Sequence, residues 1–267
     1  MRDLTVTVVQ SELAWEDIHG NLEMFSEKMD QVDEKSDLVV LPEMFTTGFS
    51  MHPEDLAQTM GGSAVSWMKG TAKKRGVDIT GSLVISDGGK YYNRLVWVKP
   101  SGELFTYDKK HLFRYAGEDK VYTAGDRHLT VTVKGWKIRP FICYDLRFPI
   151  WTRNCELAYD VGLFVANWPE SRSHHWKSLL VARAIENQAY VIGVNRVGRD
   201  GNNIIYSGDT SVIDPQGRIL LREGHVSGVY SAVLSRKELD DYRRSFPAWM
   251  DGDMTEGALK RDVIQGS

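Results

Sequence analysis

The chain has 267 residues, of which 42% are hydrophobic and 26% charged, and its net charge at neutral pH is −3. This length and composition fit one large domain with a substantial core. The slightly acidic balance gives no basic field of the kind that nucleic-acid-binding proteins carry, and no apolar stretch reaches the ~20 residues of a membrane-spanning helix.

The sequence starts directly in an alternating strand pattern and shows no signal-peptide core. Its two cysteines, at 143 and 155, form no disulfide framework. We therefore expect a protein of the reducing cytoplasm, with no nucleic acid and no membrane as partner.

Strand patterns recur along most of the chain. Apolar or alternating runs predict strands at 4–10, 38–41, 77–85, 91–98, 129–133, 138–143, 161–166, 190–195, 211–213, 219–221 and 228–233. Apolar residues at helical spacing predict helices at 22–32, 63–75, 148–159 and 174–188, the last of them buried between layers. Turn residues predict hairpins at 100–102, 134–135 and 215–217, and alternation of strand and helix elsewhere indicates parallel pairs. A mixed sheet, or two, is expected.

The longest segment without a clear period is 109–127, which is rich in charge and glycine. Loops of this length in compact domains are usually functional or disordered, and the aromatic residues within it argue against disorder. The tail from Asp251 is polar, and we expect it to be mobile or to dock on a partner subunit.

Cys143 ends an apolar run that begins at Trp136, and Pro149 follows six residues later, which predicts a strand that feeds a turn. A free thiol is only a few per cent thiolate at neutral pH, but that fraction is strongly nucleophilic when a base is near. Two other segments have a similar build: 37–43 runs from apolar residues into Glu43, and 109–113 places lysines in a loop. A thiol, a carboxylate and an ammonium together suit hydrolysis of a carbon–nitrogen bond.

Each of these features also has a purely structural explanation. A lone cysteine at a strand end is more often a small buried hydrophobic residue, which is our interpretation of Cys155. A glutamate after a proline and a Lys-Lys-His run are usually solvated. Only their occurrence together, in this order, indicates a site.

These motifs resemble the signature regions of the nitrilase, or carbon–nitrogen hydrolase, superfamily. Leu41-Pro-Glu-Met-Phe resembles the region of the catalytic glutamate, Lys109-Lys-His-Leu-Phe that of the lysine, and Ile142-Cys-Tyr-Asp-Leu-Arg-Phe-Pro that of the nucleophile. The segment 182–188 resembles a helix common to the family, and the resemblance extends from about residue 4 to about residue 235.

The resemblance implies an α/β fold, a four-layer α-β-β-α sandwich with two mixed β-sheets, usually assembled as a homodimer through a helical face. It predicts one carbon–nitrogen hydrolase domain over residues 1–267, with a core at 4–235 and a C-terminal extension at 236–267.

The resemblance also implies roles for particular residues. Glu43 would be the general base and later the acid, Cys143 would form a thioester, and Glu118 would orient the amide. Lys110 is predicted to hold the oxyanion together with the backbone N–H of Tyr144. Whether the thiol rests neutral or as an ion pair with the lysine stays open at this stage.

The segments 44–48 and 166–172 are most similar to the omega-amidase branch, which hydrolyses the terminal amide of 2-oxoglutaramate or 2-oxosuccinamate to the dicarboxylate and ammonia. A distal carboxylate needs a cation, and Arg172 is the candidate because a guanidinium binds carboxylates bidentately. Trp168 would form a wall of the pocket. A surface role for the arginine and a core role for the tryptophan are the alternatives. Asp145 and Arg147 are interpreted as structural residues that pair with each other.

The histidines do not form a site. His174 and His175 are adjacent, so on a helix they diverge by about 100° and cannot share a metal, and we predict neither a metal nor a cofactor. Three alternatives remain: a Cys–His protease or acyltransferase with His111 or His128 as base, a non-catalytic binding protein on the same fold, and a related deaminated-glutathione amidase or nitrilase.

Overall fold

The computed structural model describes residues 2–252 and 263–265, whose strands form two mixed β-sheets. The first sheet contains β1 (Leu4–Gln10), β2 (Leu38–Val40), β3 (Asp78–Asp87), β4 (Lys90–Val98), β5 (Leu104–Asp108) and β13 (Gly228–Leu234). Their spatial order is β13-β1-β2-β3-β4-β5.

The second sheet contains β6 (Leu129–Val133), β7 (Trp136–Ile142), β8 (Val161–Val165), β9 (Tyr190–Val194), β10 (Val197–Arg199), β11 (Ile205–Ile213), β12 (Ile219–Gly224) and β14 (Val263–Gln265). Its order is β10-β11-β9-β8-β7-β6-β14, with β12 paired to β11. The helices are α1 (Ile18–Met29), α2 (Pro53–Leu56), α3 (Ser63–Arg75), α4 (Glu118–Val121), α5 (Pro149–Thr152), α6 (Ser173–Asn187) and α7 (Arg236–Ser245).

The alternation of side chains along the strands separates the layers. In β1, Leu4, Val6 and Val8 belong to the core between the two sheets, whereas Val9 packs in a second core with Phe25 of α1. Successive strand residues face opposite sides of a sheet, so one apolar run supplies both cores. Each such buried side chain contributes roughly 1.5–3 kcal/mol.

The second sheet has the same arrangement. Ile138 and Ile142 of β7 face the first sheet, and Phe141 packs outward against Trp176 and Leu180 of α6. Helices, sheet, sheet and helix therefore form the predicted four-layer sandwich. The prediction that α6 is buried between layers is wrong in part, because one face is buried and Ile185 is 48% exposed.

The hairpin predictions are confirmed at all three turns, which join β4 to β5, β6 to β7 and β11 to β12. The helix predicted at 148–159 is wrong. The α-helix stops after the single turn of α5, and a separate 3₁₀ turn follows at Cys155–Leu157. Glu156 and Leu157 adopt left-handed backbone angles, and the side chain of Asn154 bonds the backbone of Tyr159. Such local side-chain bonds compete with helix formation.

Strand direction brings several loops to one edge of the sandwich. β2 and β3 are parallel, and two antiparallel steps make β5 run the same way, so the three strands end at the same edge. β7, β8 and β9 are likewise parallel in the second sheet. The residues that follow β2, β5, β7 and β8 include Glu43, Lys109, Cys143 and Asn167, respectively.

The helix α7 docks on the second sheet. The Arg243 guanidinium donates to the carboxylate of Asp160 at 2.7 Å and to the carbonyls of Tyr159 and Gln188 at 2.9 and 2.8 Å, and Leu239 is fully buried. The boundary proposed at 235/236 stays a prediction. The expectation for the tail from Asp251 falls almost entirely outside the described residues. No helix in the described part of the chain is long and apolar enough to cross a membrane.

The buried carboxyl of Asp78 makes the stability of the fold depend on pH. Its side chain is nearly buried, at 7% exposure, and accepts from Trp97 Nε1 at 2.7 Å. Burial raises the pKa of its carboxyl to about 6. The folded protein therefore keeps a proton on Asp78 that the unfolded chain releases near pH 4. As the pH rises from 4 to 6, the free energy of unfolding falls by roughly 2 kcal/mol because of this carboxyl.

The substitution Asp78→Asn keeps an acceptor for the indole and cannot ionise. We expect the free energy of unfolding of Asp78→Asn, relative to the wild type, to increase by roughly 2 kcal/mol between pH 4 and pH 7 in urea titrations. Asp33→Asn, at an exposed position, is the control and should show no such trend. A constant difference for Asp78→Asn across this range would contradict the prediction.

Candidate active site

Four ionisable side chains converge at this edge. Lys109 Nζ lies 2.8 Å from Oε1 of Glu43 and 3.0 Å from both carboxylate oxygens of Glu118, and all three side chains are fully buried. Cys143 adjoins the group: its Sγ lies 4.0 Å from the carbonyl oxygen of Asn167, the residue that also bonds Glu43, and burial together with the charge of Glu43 raises the pKa of the thiol. The structure therefore brings together a thiol, two carboxylates and an ammonium.

The backbone at two of these positions is constrained. Cys143 has a φ of 44° and Met44, which follows Glu43, has a φ of 43°. These left-handed conformations are costly for residues with a side chain and cluster at functional sites. Each of these residues lies in the turn that follows a strand: Met44 after β2 and Cys143 after β7.

The lysine in the cluster is Lys109, and the prediction of Lys110 is wrong by one residue. The ammonium of Lys110 lies 5.3 Å from the centre of the Trp151 ring, in a cation–π contact outside the cluster. Burial alone would lower the pKa of Lys109, but the charges of Glu118 and Glu43 outweigh it and raise that pKa. Lys109 is therefore a permanent cation at the site.

A signal in the sequence distinguishes the two lysines. The strand β5 was not predicted, yet Phe105 and Tyr107 are buried in alternation with more exposed residues. Because strand side chains alternate with a period of two, the next buried position is Lys109. Recognition of β5 would have selected the correct lysine.

Glu118 lies behind the ammonium rather than on the cavity wall. Its Oε2 accepts from the backbone N–H of Phe113 at 2.5 Å. Burial raises the pKa of its carboxyl, and the charge of Lys109 opposes that effect. In this position Glu118 holds the lysine and the loop at Phe113, and does not contact the cavity directly.

Two asparagines that the sequence analysis missed complete the cluster. Asn93 donates to Oε1 of Glu43 at 2.8 Å and to Oε1 of Glu118 at 3.3 Å. The backbone N–H of Asn167 donates to Oε2 of Glu43 at 2.7 Å, and its side-chain amide donates to the Glu43 carbonyl at 2.6 Å. Asn167 thus ties the end of β8 to the glutamate after β2, and links the two sheets at the site.

The thiol of Cys143 rests protonated. Burial raises its pKa well above the ordinary value, and the Glu43 carboxylate acts in the same direction, whereas Lys109 opposes them. This direction favours a neutral thiol over a thiolate–ammonium ion pair. Such a thiol needs a base at the moment of attack.

A cavity of about 400 Å³ opens onto Cys143. Lys109, Tyr144 and Asn167 line it near the sulfur, and Trp168 lines it further along. Trp168 is also almost fully buried and packs against Trp176, so its side chain belongs to the core as well.

Two guanidinium groups line the same cavity. Arg172 was predicted there, with its guanidinium 5.5 Å from the centre of the Phe113 ring. Arg147 was not: its guanidinium stacks over Trp168 at 4.7 Å and hydrogen-bonds His175. Within residues 2–252 neither arginine has a carboxylate partner. Burial lowers the pKa of Arg147, and the charge of Arg172 acts in the same direction.

The predicted pairing of Asp145 with Arg147 is wrong. The Asp145 carboxylate is fully buried and accepts from Tyr107 Oη at 2.7 Å, from the backbone N–H of Ile142 at 3.0 Å and from the backbone N–H of His111 at 2.9 Å. It therefore connects β5, the lysine loop and the turn that carries Cys143. Its structural interpretation holds with different partners.

The histidines proposed as bases in the protease alternative lie elsewhere. His111 bonds Asp145 and stacks on Phe148, and His128 stacks on Trp151. Neither lines the cavity at Cys143. In the described ranges no group of three or more His, Cys, Asp or Glu residues could hold a metal ion.

Comparison with known proteins places this site in a family. The carbon-nitrogen hydrolase family model matches residues 5–244. Omega-amidase YafV of Escherichia coli K12 is 46% identical over 256 residues, which cover 95% of this chain and 98% of that protein. The 2-oxoglutaramate amidase of Bacillus subtilis 168 is 35% identical over 251 residues, covering 92% and 96% of the two chains.

A solved structure is similar over nearly the whole chain. XC1258 from Xanthomonas campestris, a CN-hydrolase superfamily protein with an arsenic adduct in its active site, superposes with a TM-score of 0.94 at 42% identity, covering 96% of this chain and 99% of that one. With the buried Glu43–Lys109–Glu118 cluster beside Cys143, these matches lead to one conclusion: the chain belongs to the carbon–nitrogen hydrolase family.

Proposed function

We propose that this protein is an omega-amidase, which hydrolyses the terminal amide of 2-oxoglutaramate or 2-oxosuccinamate to the dicarboxylate and ammonia through a cysteine thioester. The amidase names of relatives at 35–46% identity support this activity. The observation that carries the substrate choice is the cavity, which combines the nucleophile with two guanidinium groups.

The guanidinium groups make the cavity suited to an anion. Arg147 and Arg172 are partly buried beside each other without a protein carboxylate among residues 2–252, and like charges in a desolvated site repel. A substrate carboxylate would offset that repulsion and accept paired N–H bonds. An amide with a carboxylate at its far end would then place its carbonyl carbon at Cys143.

The first chemical step is attack of the sulfur on the amide carbonyl. Glu43 removes the thiol proton as the C–S bond forms, since the neutral thiol of Cys143 is a poor nucleophile. The ammonium of Lys109 and the backbone N–H of Tyr144 stabilise the oxyanion. One such donor is typically worth about 3–4 kcal/mol in the transition state.

The second part of the reaction releases both products. Glu43 returns the proton to the leaving nitrogen, so ammonia departs and an acyl thioester remains on Cys143. Glu43 then takes a proton from water, which attacks the thioester carbonyl, and the thiol is regenerated with the dicarboxylate. Glu118 keeps Lys109 in place and, through its charge, keeps the ammonium protonated.

We also propose that the protein is a cytoplasmic homodimer. The free thiol chemistry at Cys143 needs a reducing compartment. Exposed apolar side chains at one side of the second sheet, Ile219 and Leu220 of β12 and Ile185 of α6, support association through this side. Light scattering of the purified protein would give its mass directly.

Matched substitutions of the adjacent lysines test the assignment of the catalytic cation. We expect Lys109→Gln to lower kcat for 2-oxoglutaramate by about 10³-fold or more, since both the oxyanion donor and the counter-charge of two carboxylates are lost. Lys110→Gln should stay within about threefold of the wild type, as its charge contacts Trp151 alone among residues 2–252. Ammonia release in a coupled assay measures both. The reverse order of effects would contradict the assignment.

Substitutions of the arginines test the substrate class. We expect Arg172→Ala and Arg147→Ala each to raise KM for 2-oxoglutaramate by about 10- to 100-fold, the value of a charge-assisted hydrogen bond. KM for propionamide, which has no carboxylate, should change by less than about threefold.

Arg114→Ala is the control, because this arginine is exposed and lies outside the cavity lining. Its KM for either amide should match the wild type. Equal effects of Arg172→Ala on the charged and the uncharged amide would show that the cavity does not recognise a carboxylate.

A further inference from the structure

Asn93 occupies the centre of the buried cluster without a role in the scheme above. It is fully buried near the start of β4, the strand that separates β3 from β5. Its side-chain nitrogen donates to both carboxylates, and its backbone carbonyl accepts from the N–H of Lys109 at 3.0 Å. One residue therefore contacts Glu43, Glu118 and Lys109.

The orientation of the Asn93 amide is fixed by a chain of hydrogen bonds. The backbone N–H of Met44 donates to Ser82 Oγ at 2.8 Å, and that hydroxyl donates to Asn93 Oδ1 at 2.8 Å. The amide oxygen is thereby occupied, and only the NH₂ group is presented to the carboxylates. An NH₂ group can only donate, so it stabilises the ionised form of each acid.

The charge balance of the cluster makes this donation important. Two carboxylates share one ammonium, and the thiol is neutral, which leaves one negative charge in excess in a buried site. A carboxylate at such short range raises the pKa of its neighbour, as burial and the charge of Glu43 do for Glu118. A protonated Glu43 could not accept the proton of Cys143.

We propose that Asn93 is a positioning residue, whose amide holds the Glu43 and Glu118 carboxylates around one ammonium and keeps the oxygens that face Lys109 free of protons. The inference rests on the proposed role of Glu43 as the base. The neutral amide thus stabilises the second carboxylate charge, which would otherwise need a second buried cation.

The phenols of Tyr122 and Tyr206 are close enough to interact with the charge of Glu43, although their hydroxyls donate to Ser50 and Asp200. Burial raises the pKa of both phenols, so they keep their protons over the range in which the carboxylates titrate. Arginine side chains in general keep their charge over the same range. A change in the acid limb of the pH profile therefore reports Glu43 and Glu118.

The test uses Asn93→Ala and Asn93→Asp. We expect kcat to fall by about 10- to 100-fold in Asn93→Ala, as for loss of a hydrogen bond to a charged group, with KM within about threefold. The acid limb of kcat/KM should move to higher pH by at least about one unit, and further in Asn93→Asp, because a third carboxylate adds repulsion. The rate at which iodoacetamide alkylates Cys143, followed by mass, should show the same shift.

Asn154→Ala is the matched control. Asn154 is also buried, and its amide donates to the backbone carbonyls of Tyr159 and Asn187. This variant should lose thermal stability and keep the wild-type pH profile. If Asn93→Ala behaves in the same way, with lower Tm and unchanged kcat and pH profile, Asn93 is structural and the inference is wrong.

Ser82→Ala covers the case in which Asn93→Ala does not fold. It removes the hydroxyl that orients the amide, and should shift the acid limb in the same direction by a smaller amount; an unchanged limb would contradict the inference. Alkylation does not depend on the amide substrate. A shift in alkylation without turnover of 2-oxoglutaramate by the wild type would support the role of Asn93 and refute the proposed substrate.

Discussion

The site depends on one buried ammonium held between two buried carboxylates. Removal of each of these ions from water costs several kcal/mol, and only contacts of good geometry offset that cost. Here Lys109 lies 2.8–3.0 Å from oxygens of Glu43 and Glu118, and Asn93 supplies further donors to both acids. Burial raises the pKa of the neighbouring thiol, and the carboxylate charges that raise the pKa of the lysine act on the thiol in the same direction.

The functional side chains lie at the ends of strands in two different sheets, so the site depends on the position of one sheet relative to the other. The first sheet contributes Glu43 and Lys109, and the second contributes Cys143 and Asn167. The bonds from Asn167 to the Glu43 carboxylate and carbonyl cross between the sheets. A shift of one sheet over the other would separate the base from the nucleophile, so the apolar core between the sheets is also what sets the catalytic distance.

Glu43 and Cys143 can be located from the sequence because each follows a strand whose pattern is easy to recognise. Lys109 cannot be told from Lys110 without β5, which is short and follows a hairpin, because only the alternation of that strand decides between the adjacent lysines. Asn93 is hidden in the sequence, since one polar residue inside an apolar strand pattern does not reveal which groups it faces. The helix predicted at 148–159 is too long because apolar spacing carries no information on the backbone conformation that ends α5.

The covalent step is tested most directly by the mass of the intact protein after rapid mixing with 2-oxoglutaramate and an acid quench. We expect a transient adduct equal to the substrate less ammonia, located on Cys143 by peptide mapping and missing from Cys143→Ala. Ammonia release by Cys143→Ala at the wild-type rate would contradict the mechanism.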